Sequence, residues 1–87
     1  MGWFTNYEIE FEDNIEWNDQ IVKHCLKDFM VDYLYLRDME KPRLILCVYS
    51  QNPIEKIMLA LKNVYDTGIM YRIYNSNEAW ARFETGS

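Results

Sequence analysis

The chain predicts a small α+β domain in which two amphipathic helices cover one face of a four-stranded antiparallel sheet. Three observations carry that expectation. Tyr7, Ile9 and Phe11 alternate with Glu8, Glu10 and Glu12, the period of a half-buried strand. Residues 31–50, VDYLYLRDMEKPRLILCVYS, read as two strands around a polar break, a β-hairpin. Apolar residues recur at helical spacing on both sides of that hairpin.

In chain order, a strand is expected over Trp3–Glu12. Asp13 or Asn14 can then cap a helix, with Glu16 completing a capping box. That helix runs from about Ile15 to Met30, with Ile21, Val22, Cys25, Leu26, Phe29 and Met30 as its apolar stripe. In the hairpin, Leu34 and Leu36 are assigned to one face and Tyr33, Tyr35 and Arg37 to the other. Pro42, which cannot donate to a ladder, precedes the second strand, Arg43–Tyr49. This strand is apolar on both faces and should be covered on both. Asn52-Pro53-Ile54-Glu55 supplies a cap, a proline at the first helical position and an early acid. Ile54, Ile57, Met58, Leu61, Val64 and Tyr65 make the second stripe, and Gly68 is expected to stop the helix. Ile69–Tyr74 is a strand and Asn75–Glu78 a turn. Ala79–Glu84 fits either a short edge strand or a helical turn, with the strand preferred.

The order β-α-β-β-α-β, with right-handed crossovers, is that of the ferredoxin-like sandwich, whose strand order 4-1-3-2 places the first and third strands inside. Its helices leave one sheet face open. That face is expected to carry Glu8, Glu10 and Glu12, Tyr33, Tyr35 and Arg37, and Met70, Arg72 and Tyr74. Either Arg43, Ile45, Cys47 and Tyr49 or the alternate residues of the same strand complete it. Arg43 and Arg72 would flank the glutamates and pair with them.

Eighty-seven residues make one domain with a modest core. No run approaches a membrane span, and no leader is expected at the Trp3-Phe4 start. Met1-Gly2 is followed by Asn6 where a myristoylation signal needs Ser or Thr. Cys25 and Cys47 lie in apolar periodic segments and read as reduced, buried thiols of a cytoplasmic protein. Residues 1–22 hold six acids and no lysine or arginine, whereas the remainder holds eight acids and nine bases. Such an acidic first third repels phosphate backbones and anionic membranes.

The motifs of chemistry are missing. Glutamates on one strand face stand nearly 7 Å apart and do not converge on a cation, so a solvated face is preferred to a carboxylate site. The lone His24 lies four residues from Asp28 and cannot share a ligand position with adjacent Cys25. With no second histidine, a hydrolytic triad has little to build on. Glycine occurs only at Gly2, Gly68 and Gly86, so no loop is available to cradle phosphate. The second hairpin strand lacks the basic, glycine-containing signature of RNA-recognition motifs. No resemblance to a family reaches the residue level. In composition alone the small, acidic, aromatic-rich chain is similar to viral accessory proteins of phages and mobile elements.

The expectation is therefore a non-enzymatic module, without cofactor or metal, that binds a protein partner or a second copy as a homodimer. Its binding residues would be Glu8, Glu10, Glu12, Tyr33, Tyr35, Arg37, Tyr49, Arg72 and Tyr74. No nucleic acid, membrane or small-molecule substrate is implied. An acidic inhibitor that mimics nucleic acid and fills a basic groove is the alternative. Trp80 and Phe83 offer a competing cover for the sheet within one chain.

Overall fold

A computed structural model describes residues 3–37, 40–49 and 53–84. Its elements are β1 (Phe4–Phe11), α1 (Asp19–Cys25), β2 (Val31–Leu36), β3 (Arg43–Tyr49), α2 (Ile54–Tyr65), β4 (Ile69–Ile73) and β5 (Ala81–Arg82). The strands form one antiparallel sheet in the order β2-β3-β1-β4-β5. The protein is thus an α+β fold with an open five-stranded sheet and two helices. The four-strand expectation is corrected: residues 81–82 pair with Met70 and Tyr71 and add a fifth strand outside β4.

One core joins the sheet to both helices. Ile9 and Phe11 from β1, Leu44, Leu46 and Val48 from β3, and Ile69 from β4 meet Val22 and Leu26 of the first helical segment and Ile57, Met58 and Leu61 of α2. The alternation in β1 and β3 dictates which residues enter it, because successive side chains of a strand point to opposite faces.

The first helix is shorter than its apolar pattern suggests. It begins at Asp19, capped by Asn18, whose Oδ1 accepts from the backbone N–H groups of Gln20 (3.0 Å) and Ile21 (3.2 Å). Asp13 does not cap it. Its backbone N–H donates to Thr67 Oγ1, and that hydroxyl donates back to Asp13 Oδ2, both at 3.0 Å. This pair ties the exit of β1 to the turn before β4 (Glu12 N–H to Gly68 O, 2.9 Å, beside it). Residues 13–18 are therefore a connecting loop that sends Ile15 and Trp17 inward. Ile21 and Met30 are exposed, so the real stripe is Val22, Cys25, Leu26 and Phe29.

At α2, Asn52 lies outside the described residues. Pro53 occupies the cap position itself rather than the first helical position, and its carbonyl accepts from Lys56 N–H. The helix ends one turn before Gly68: Asp66 takes the left-handed conformation (φ 49°, ψ 47°) and its N–H returns to Lys62 O at 2.7 Å. Aspartate tolerates this region because its short polar side chain bonds locally. Gly68 serves another purpose. A Cβ there would run into the Glu12 side chain, so the glycine leaves room for that carboxylate.

The tyrosines of β2 face opposite to the expectation. Tyr33 and Tyr35 lie across from buried Leu46 and Leu44, on the helix side. Trp17 stacks flat on Tyr35 (4.1 Å between centroids, 4° between planes) and contacts Tyr33 edge-on and Tyr65 face-on. Arg37 lies over the Tyr35 ring, 5.8 Å from its centroid. Rings bury more area than leucine and keep a hydroxyl that can reach the rim, so the tyrosines take the covered side. Leu34 and Leu36 are left on the open face.

Candidate functional site

The open face is built from the even-numbered residues of β1 and β4 and the odd-numbered residues of β3. Arg43, Ile45, Cys47 and Tyr49 are the β3 residues on it, which decides between the two assignments. Because Glu8 lies opposite Ile45 on one side and Arg72 on the other, the glutamates of β1 run down the middle.

At Glu8 and Glu10 that central row is buried, and all three glutamates are paired. Glu8 is only 3% exposed, and it receives Arg43 Nη1 at 3.1 Å and Arg72 Nε at 2.5 Å. Glu10, also buried, receives Arg43 Nε at 3.0 Å and Lys41 Nζ at 3.3 Å. Glu12, at the exposed end, is held by both terminal nitrogens of Arg82, at 2.7 and 3.2 Å. Arg43 bridges two carboxylates because cross-strand neighbours on one face approach within side-chain reach. The guanidinium fork then satisfies both with directed donors.

Trp80 lies on top of this network. Its ring covers the guanidinium of Arg72 at 4.3 Å and that of Arg43 at 5.4 Å. The chain is folded back to reach them. Asn75 adopts positive φ (58°), Ser76 Oγ donates to Ile73 O at 2.7 Å, and Arg72 Nη1 donates to Glu78 O at 3.2 Å. Arg82 beyond it pairs with Glu12, and Phe83 turns to the opposite, helix-side core. Each cation–π contact adds about 0.5–2 kcal/mol according to its desolvation. The competing cover is thus realised by Trp80 for the charged centre alone.

Beside the covered centre lies an apolar field. Leu34 is 59% exposed and Phe4 58%, and Leu36, Ile45, Cys47 and Tyr49 are half-buried around them. Phe4 and Tyr49, opposite each other across β1 and β3, meet edge to face at 6.3 Å. Between field and centre is an open depression of about 260 Å³, with Leu36, Ile45 and Tyr74 around Glu8, Arg43 and Arg72.

Of the residues expected on the site, Glu8, Glu10, Glu12 and Arg72 come together in one network, Tyr49 lies in the apolar field and Tyr74 borders the depression. Tyr33, Tyr35 and Arg37 do not join them. Leu34, Leu36 and Trp80 replace them, because Trp17, outside the helical stripe, lies flat on Tyr35 and Tyr65 and edge-on to Tyr33, which keeps the tyrosine row of β2 on the helix side.

Burial pushes the phenols of Tyr33 and Tyr35 above their ordinary range, with the neighbouring Tyr65 acting in the same direction on both and Asp19 on Tyr33. Arg37 opposes the rise at Tyr35. Burial also raises the Cys25 thiol, which disfavours the nucleophilic thiolate. Both cysteines are free, Cys25 on the helix side of the sheet and Cys47 on the open side. Among the described residues no three His, Cys, Asp or Glu side chains are placed to hold a metal ion, and no helix is long and apolar enough to cross a membrane. The chain matches no family model, no curated protein and no solved structure.

Proposed function

We propose that the protein is a non-enzymatic interaction module of the cytoplasm that docks a protein, most simply a second copy of itself, on its open sheet face. The observation that supports this reading is the apolar field of Phe4, Leu34, Leu36, Ile45, Cys47 and Tyr49, which no described segment covers. Exposed apolar surface interspersed with a few polar groups marks interaction sites, and here Asp32 and Asn6 stand on either side of Cys47. The neighbouring glutamates carry their own counter-charges, so two copies facing each other about a twofold axis meet without a row of unpaired acids. We further read β1 to β4 with both helices as a ferredoxin-like sandwich to which β5 adds an edge. The same pairing weighs against a nucleic-acid mimic, since the β1 carboxylates are already occupied by arginine and lysine.

Sedimentation of the wild type and of Leu34→Glu at tens of micromolar tests the reading. A dimer that dissociates in the variant, with unchanged circular dichroism, is the expected outcome. Tyr35→Glu would not serve, because that ring stacks on Trp17 and its loss strikes the core. A wild type that stays monomeric removes the self-pairing, and a dimer indifferent to Leu34→Glu removes this face.

A further inference from the structure

We draw no further inference here: the strongest candidate, the outer edge of β2 with the groove that runs between it and α1, carries nothing, because Lys23 and Lys27 share that groove with Asp19 and Asp32 and nothing in the structure shows what covers it.

Discussion

Replacing Arg72 by methionine keeps the aliphatic stem over the sheet and removes the guanidinium. Three contacts go with it: the bond to buried Glu8, the cation beneath Trp80, and the exposed bond to Glu78 O. A hydrogen bond to a charged group contributes about 1.5–3 kcal/mol, and the aromatic contact about 0.5–1 kcal/mol at a partly exposed site. The bond to Glu78 O is solvent-facing and adds little. Glu8 retains Arg43 at 3.1 Å, so the cost stays below the roughly 3–5 kcal/mol of a buried charge left wholly unpaired. The expected loss is therefore about 2–4 kcal/mol. For a domain of this size each kcal/mol moves the midpoint by roughly 4–8 °C, giving a fall of at least about 8 °C in a thermal melt. Urea titration of Arg72→Met, Glu8→Gln and the double variant completes the cycle, with a coupling of about 1 kcal/mol or more. A single-variant loss under about 0.5 kcal/mol, with no coupling, would show that the pair is a screened surface bridge and that Glu8 is open to water.

Two further outcomes are expected. Leu61→Ala, at a fully buried position in the middle of α2, should cost about 2–5 kcal/mol by urea titration, and an unchanged midpoint would mean that α2 buries another face. The raised phenols of Tyr33 and Tyr35 make stability fall on the alkaline side: their contribution is complete below the ordinary tyrosine value of about 10 and is lost as pH rises through the higher folded values, because the unfolded chain gives up those protons first. Melts between pH 9 and 11 should show this decline, and Tyr35→Phe should flatten it relative to the wild type.

Much of the architecture was legible in the chain alone. Strict alternation in Tyr7–Phe11 fixes which of its side chains enter the core, because a strand admits only two faces. The stripe Ile57, Met58 and Leu61 does the same for α2. The pairing of Arg43 and Arg72 with the glutamates also followed, once β1 stood between β3 and β4. Arg43–Tyr49 is apolar on both faces, and only the assembled sheet turns Leu44, Leu46 and Val48 inward. Elsewhere, patterns that are locally ambiguous were resolved by distant partners. Either row of β2, two leucines or two tyrosines, can be the buried one; Trp17 arrives from the loop before α1 and selects the tyrosines. Asp13 and Asn18 can each cap a helix; Thr67, far along the chain, claims Asp13 and leaves the cap to Asn18. Glu8 reads as a surface acid in any window of sequence, yet two arginines and the returning Trp80 bury it. Periodicity is a property of neighbours in the chain, and it settled the elements. The choice among faces, caps and counter-ions depends on contacts between residues tens of positions apart, and only the packed structure brings those together.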